Sequence, residues 1–318
     1  RRYLAHLQAA GLAKTSAARK LAIPVSTDFH TNFHNYTQHY GIGLLKKESA
    51  VTLELLDLID SLPTNACSRA ALMGSAVNCL SGQLRRAPWE LLGLATPLPI
   101  RTSFTFALDA PEATIDQIMR SPFAFIKVKM GDSRDESLLS MLGSITGKEI
   151  RIDANGGWSV AQAAVMIPRL AALGVRVIEQ PTSPDFVADW PALKPRGAEV
   201  ELLIDEGMNT LDDFERLHQY CDGINIKMAK SGGIVEAVRM ARAARAAGKK
   251  VMLGCMVESS IGIAQSVYMS SLADYFDLDG PLLLEHDIAD GLLYNTDCIT
   301  TDAEVIGGPK LRQDVVPK

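Results

Sequence analysis

The sequence predicts an α/β protein built on a parallel barrel of the TIM type, and three observations carry that expectation. Eight short runs rich in Ile, Val and Leu alternate with Ala-rich helical stretches. Most successive runs lie about 20 to 26 residues apart, the length of one βα unit. Three consecutive runs end in a carboxylate: Asp153 in IRIDANGGW, Glu179 in VIEQP and Asp205 in LLIDEG. Strands buried on both faces of a parallel sheet read as such apolar runs. Residues ending them project into the C-terminal mouth, where barrel enzymes keep their active sites.

The elements follow in order. The opening RRYLAHLQAAGL reads as a short amphipathic helix closed by Gly11, without the apolar core or cleavage site of a signal peptide. Residues 12–50 read as an insertion or interface segment. They hold His30, His34 and His39 at spacings that suit no standard metal-ligand pattern. Helical patterns cover Ser49–Ser61 and Ala66–Leu80, and APWELLGL closes this first unit. The eight strand runs are Ile100–Ala107, Phe125–Met130, Ile150–Asp153, Val175–Glu179, Leu202–Asp205, Gly223–Met228, Val251–Met256 and Tyr275–Leu278. The tail after Gly291 carries a further strand and GGPKL, and is expected to pack back on the first unit. The expected division is therefore 1–98, a barrel over 99–290, and 291–318. The formal charge of −5 gives no reason to expect a nucleic-acid partner. No apolar stretch is long enough to cross a membrane. Five scattered cysteines without CxxC spacing suit reduced core or near-core thiols in a cytoplasmic protein.

Strand order turns these positions into chemistry. The three carboxylates end strands three, four and five, which are neighbours, and converging carboxylates need a cation between them. An all-oxygen ligand set favours Mg²⁺ over Zn²⁺. Any one of these acids alone reads equally well as a loop charge or a helix cap. Lys127 and Lys129 end strand two, and Lys227 ends strand six on the opposite side of an eight-membered ring. Lysines flanking a metal from two sides suit moving a proton on either face of one carbon, through an enediolate stabilised by the ion. The base must be a neutral amine, and lysines side by side near a divalent ion are expected to lower one another's pKa. The alternative for each lysine is a salt bridge to a neighbouring acid, with Asp153 and Asp205 at hand.

The motifs KVKMG, IRIDANGGW, VIEQP, LLIDEG, NIKMAKSGGI and GCMVESSIG, in this order, resemble the enolase superfamily, muconate-lactonizing subgroup. Within it the likeness is to dipeptide epimerases of the L-Ala-D/L-Glu type, and it runs from about Ser68 to Gly291. The resemblance implies a modified TIM barrel, (β/α)7β, with an α+β capping domain. It implies Mg²⁺ on Asp153, Glu179 and Asp205, acid/base roles for Lys129 and Lys227, and a supporting role for Lys127. Asp277 and Asp279 in YFDLDGP match the DxD of dipeptide epimerases, implying capture of a substrate α-ammonium; an acidic turn before Gly280–Pro281 is the plainer reading. Glu258 and Ser259 are expected to shape the site near strand seven. Gly207 stands where the family often has serine, which leaves the metal ligand untouched. Nothing before residue 66 matches the strands of the cap, so the cap is expected to be N-terminally incomplete, the mouth open and turnover slow. The implied partner is a small dipeptide, with a homo-oligomer left open. Rival readings are an o-succinylbenzoate synthase or muconate cycloisomerase-like enzyme, and a catalytically silent metal-binding homologue.

Overall fold

In a computed structural model, residues 65–106, 111–194, 199–301 and 306–312 are described. The expectations for the opening helix, residues 12–50, the three histidines and the helix over Ser49–Ser61 lie outside these residues. Helix α1 (Ala66–Leu84) starts where the Asn65 side chain accepts from Ser68 N at 2.8 Å, and it stops at Arg85, which takes a left-handed φ of 51°. It buries Ala70, Met73, Ala76, Val77 and Leu80, the spacing of one helical face. It runs one turn beyond the expected Leu80. A short α2 (Pro88–Leu91) follows.

Two short strands come next, β1 (Ile100–Arg101) and β2 (Phe104–Phe106), then α3 (Pro111–Arg120). After them the alternation is regular: β3 (Phe125–Lys129), α4 (Asp135–Leu142), β4 (Glu149–Asp153), α5 (Val160–Ala172), β5 (Val177–Glu179), α6 (Trp190–Leu193), β6 (Glu201–Ile204) and α7 (Leu211–Leu217). It continues through β7 (Gly223–Lys227), α8 (Met228–Ser231), α9 (Ile234–Ala246), β8 (Lys250–Gly254), α10 (Ser260–Tyr268) and β9 (Tyr275–Asp277). Strands β2 to β9 form one eight-stranded sheet in sequential order, every neighbouring pair parallel, so the fold is a nearly closed barrel wrapped in helices. The main core lies between the sheet and those helices, with Ile126, Val128, Ile152, Ile178, Leu202, Ile204, Ile224, Ile226, Val251 and Leu253 pointing outward into it.

The first expected strand is a correction. The run over Ile100–Ala107 breaks after Arg101, and only β2 belongs to the barrel. β1 leaves to pair antiparallel with β12 (Cys298–Thr301), which pairs with β11 (Leu292–Asn295). Asp297 causes the split: its carboxylate takes Arg101 at 2.6 Å, and its carbonyl accepts from Thr102 N at 2.8 Å. Backbone amides of Ser103 and Thr105 and the hydroxyl of Thr102 then stitch β2 to β9 and the residues after it. Ser103 N donates to Phe276 O at 3.1 Å, Leu278 N donates to Thr102 Oγ1 at 2.7 Å, and Thr105 N donates to Asp279 Oδ2 at 2.8 Å.

The helical unit docks on the barrel's flank. Ala70 and Met73 of α1 press against Gly233, where an added Cβ would lie 2.9 Å from the Met73 Cβ. Gln265 Nε2 donates to Ala70 O at 3.1 Å, and Tyr268 Oη donates to Asn78 at 3.0 Å. Beyond Gly291, Gly307 N donates to Ser81 Oγ of α1 at 3.0 Å. Two further strands, β10 (Ala289–Asp290) and β13 (Lys310–Leu311), pair antiparallel. Among the described residues no helix is long and apolar enough to cross a membrane. No disulfide joins the five cysteines, and Cys67 lies at the surface rather than near the core.

Candidate active site

Register and alternation bring the predicted residues to one end of the barrel. Lys129 lies opposite Asp153, and Asp153 opposite Glu179. Partners in parallel strands face the same side, so these three share a level at the strand ends. Glu179 then faces Leu203, which puts Asp205 two residues further along, just past β6. Lys227 faces Gly254, and Gly254 faces Asp277, completing the ring. Lys127 lies one level below Lys129. With β3 and β7 four strands apart in a ring of eight, Lys129 and Lys227 approach the centre from opposite walls.

Asp153, Glu179 and Asp205 are buried, and one carboxylate oxygen from each lies within 4.8 Å of the others. Lys129 Nζ sits 2.7 Å from Asp153 Oδ2, and Lys227 Nζ 2.7 Å from Asp205 Oδ2. The salt bridges weighed as an alternative for each lysine are therefore present, made to the very acids that would hold a metal. Lys127 is buried among three acids, with Nζ 2.6 Å from Asp277 Oδ2 and 3.0 Å from both Asp153 Oδ2 and Glu179 Oε1. That Glu179 oxygen lies close to Lys127 but outside hydrogen-bond geometry, and it is buried without a hydrogen-bond partner. A buried carboxylate oxygen left without a donor is costly unless a cation meets it. This, with an all-oxygen donor set, fits a hard divalent cation.

The charges shift one another strongly. Burial pushes the Glu179 carboxyl up to about 7, with Lys127 opposing and Asp153 and Asp277 adding to the rise. Burial also pushes Asp153 upward, but Lys127 and Lys129 outweigh it and hold the carboxyl below its usual range. Asp205 is likewise lowered against burial, by Lys227 and Lys230. The carboxylates act on Lys127 and Lys227 in the opposite sense from the ion that the expectation placed beside the lysines. Burial lowers Lys127, yet Asp277, Glu179 and Asp153 carry it well above its ordinary value. Lys227 is raised too, since Asp205 outweighs burial and the repulsion from Lys127.

Asp277 and Asp279 are both buried at the mouth. Asp277 accepts from Ser103 Oγ at 2.7 Å as well as from Lys127, and burial together with Asp277 raises the Asp279 carboxyl. Glu258 folds back on its own loop, accepting from Met256 N at 3.1 Å, and burial raises its carboxyl. Ser259 takes the N-cap position of α10, where Gly262 N donates to its carbonyl at 3.0 Å. Gly207 N makes a 3.4 Å contact to Gln180 Oε1, beside the 3.0 Å bond from Asp205 N that steadies the loop.

Four residues of the site escaped the sequence reading. Asn225 Nδ2 donates to Glu179 Oε2 at 2.8 Å, and its place two residues before Lys227 on one strand was the available signal. Lys230 Nζ reaches Asp205 Oδ1 at 2.6 Å, one helical turn after Lys227. Asn155 accepts from Lys129 at 3.0 Å and donates to Glu206 at 3.0 Å. No pattern in the sequence marked Ser103.

Residues 111–305 match the family described as enolase C-terminal domain-like, and the chain belongs to it. Its curated relatives place it near the dipeptide epimerases of that family. It is 33% identical over 225 residues to the L-Ala-D/L-amino acid epimerase of Maribacter sp., a match covering 70% of this chain and 66% of the relative. It is 34% identical over 238 residues to the L-Ala-D/L-Glu epimerase of Bacteroides thetaiotaomicron, covering 74% of this chain and 62% of the relative. The chain thus spans slightly less than two thirds of the length of these relatives. Its fold is similar to the crystal structure of a dipeptide epimerase from Cytophaga hutchinsonii complexed with Mg and the dipeptide D-Ala-L-Val. That likeness has a TM-score of 0.76 at 26% identity and covers 83% of this chain and 76% of the other.

Proposed function

We propose that the protein is a Mg²⁺-dependent dipeptide epimerase that inverts the α-carbon of the C-terminal residue by two-base 1,1-proton transfer. The observation that carries this reading is the pair Lys129 and Lys227, set on opposite walls, each bonded to a different member of one buried acidic triad. Asp153, Glu179 and Asp205 would hold the ion, whose charge makes the α-proton beside a carboxylate acidic enough to be removed. Lys129 takes the proton from one face of the carbon and Lys227 supplies one to the other face; the roles reverse with substrate configuration. The lysine that acts as base must first lose its own proton, while the other keeps one to give. Asp205 raises the Lys227 amine above its ordinary value, so sharing that carboxylate with a cation would weaken the attraction and let the amine act as a base.

Asp277 and Asp279 supply the negative charge for a substrate α-ammonium, since two buried acids so close repel unless a cation lies between or beside them. The same pair argues against an o-succinylbenzoate synthase or muconate cycloisomerase, whose substrates carry no ammonium group. A complete set of lysines and carboxylates argues against a catalytically silent homologue. The names of the relatives support the epimerase reading, and cysteines that form no disulfide with one another support a cytoplasmic setting.

The test is incubation of the protein with Mg²⁺ and a panel of free and N-acetylated dipeptides in D₂O, following the α-proton of the C-terminal residue. Loss of that signal with both epimers of free dipeptides, and weak loss with acetylated ones, is the expected result. Equal exchange of free and acetylated dipeptides would point to a cycloisomerase-like relative. No exchange with any member of the panel would leave the silent homologue standing.

A further inference from the structure

The two lysines on opposite walls are anchored differently. Among the described residues Lys227 Nζ donates to one acceptor, Asp205 Oδ2 at 2.7 Å. Lys129 Nζ has two, Asp153 Oδ2 at 2.7 Å and the neutral amide oxygen of Asn155 at 3.0 Å. The other end of that amide is also engaged, since Asn155 Nδ2 donates to Glu206 Oε1 at 3.0 Å. The Asn155 backbone is fixed as well. Its φ of 46° lies in the left-handed region that asparagine tolerates, and its N–H donates to Asp153 Oδ1 at 3.0 Å. Glu206 follows the triad acid Asp205 in the loop after β6, so this contact spans from that loop to the one after β4.

An amide side chain can turn either end toward a neighbour, and the two ends have opposite hydrogen-bonding character. An ammonium only donates and a carboxylate only accepts, so one orientation alone satisfies Lys129 and Glu206 together. We propose that Glu206 is a positioning residue that acts through Asn155: it takes the NH₂ end of the amide and so keeps the oxygen on Lys129. Its effect on the reaction rests on the two-base reading; its hold on Asn155 does not. An ion held by Asp153 draws on the carboxylate that anchors Lys129 and repels the ammonium beside it. Asn155 is a neutral acceptor outside the triad, and a deprotonated amine still has hydrogens to donate to it. Without Glu206 the amide is free to turn its NH₂ end to Lys129, where donor faces donor. The damage should therefore fall on one lysine, and so on one substrate epimer.

Initial rates of α-proton exchange in D₂O with Mg²⁺, taken separately for the two epimers of a dipeptide, test this. The epimer that Lys227→Ala still exchanges is the one that gives its proton to Lys129. Glu206→Ala should slow exchange of that epimer at least about fivefold, and of the other by no more than about twofold. Glu206→Gln keeps an oxygen for the Asn155 amide and should restore most of the loss. Asn155→Gly keeps the left-handed backbone open and should be at least as selective as Glu206→Ala. Calorimetric titration should find Mg²⁺ affinity within about threefold of wild type in all three variants. Crystal structures with Mg²⁺ alone should show Lys129 bonded to Asn155 in the wild type and in Glu206→Gln, and that bond lost in Glu206→Ala. Equal slowing of both epimers, unchanged rates in Glu206→Ala, a larger loss of Mg²⁺ affinity, or a Lys129–Asn155 bond that survives Glu206→Ala would overturn the proposal. A wild type that exchanges no dipeptide, or Lys129→Ala and Lys227→Ala variants that exchange the same epimer, would defeat the two-base reading instead. The Mg²⁺-bound crystal structures then decide whether Glu206 sets Asn155.

Discussion

Glu179 is buried among Lys127, Asp153 and Asp277, and its carboxyl is pushed up to about 7. A carboxyl raised on folding binds its proton more tightly in the folded state. Its contribution to stability is complete below the unfolded pKa and is lost as pH rises through the folded one. The metal-free protein should therefore lose about 3 kcal/mol of stability between roughly pH 4.5 and pH 8, and Glu179→Gln should flatten that slope. Urea denaturation in chelator across this range measures it. Asp153 and Asp205 are lowered instead, so their contribution persists above the ordinary carboxylate range and is lost only on acidification below it. Asp153→Asn, Glu179→Gln and Asp205→Asn should each abolish turnover while circular dichroism reports an intact fold; full activity in excess chelator would refute the metal role. The lysines make a sharper prediction. Lys129→Ala and Lys227→Ala should both lose net epimerisation, yet each should retain α-proton exchange with one substrate epimer, the opposite epimer in each case. Exchange with the same epimer in both would require a one-base mechanism.

The loops after β3 and β4 hold Lys129, Asp153 and Asn155, and they are locked together through backbone. Gly131 has a φ of 110°, and a Cβ there would lie 2.3 Å from Ala154 O; one on Gly157 would lie 2.2 Å from Gly131 O. Asp135 at the start of α4 clamps the same junction, accepting from Gly131 N at 3.0 Å and from the indole of Trp158. Contacts this close need bare glycine on both sides. Gly157→Ala should cost about 1–3 kcal/mol by overpacking and drive the two loops apart. Its effect on Mg²⁺ affinity should then exceed that of an equally destabilising change on the distant helix α9. Thermal melts paired with Mg²⁺ titrations compare the two, and equal affinities would show that the junction serves stability alone.

Across the whole barrel, the mouth carries the site and the opposite end is plugged. Arg151, two residues before Asp153 on β4, is buried between the rings of Phe125 at 4.7 Å and Tyr275 at 5.0 Å, and donates to Phe276 O at 3.2 Å. Its partner Glu149 is only partly shielded, so loss of the pair is less severe than for a fully buried one. Arg151→Ala should lower stability by about 3 kcal/mol while leaving Mg²⁺ affinity within about twofold of wild type. Denaturant titration and calorimetry on the same sample test both halves. A large fall in affinity would mean that the floor, as well as the seam between β2 and β9, sets the geometry of the mouth.

Strands β3 to β8 were legible because parallel strands covered on both faces have little choice but to be continuous apolar runs, and their lengths set the repeat. Asp153, Glu179 and Asp205 were legible for the same reason: each charge interrupts an apolar run at the point where it leaves the core. Alternation along the chain placed Lys127 and Lys129 on one face. The tertiary structure decided the rest. The stagger between neighbouring strands sets Asp205 two residues beyond the level of Glu179, and no single strand contains that information. The break at Arg101 depends on Asp297, nearly two hundred residues away. The partners of Lys127 come from three strands, and their summed fields raise its pKa against the burial that lowers it. A sequence determines which side chains face inward, because that follows from a local period of two. Which of them meet, and whose charge prevails, depends on distances that exist only once the barrel has closed.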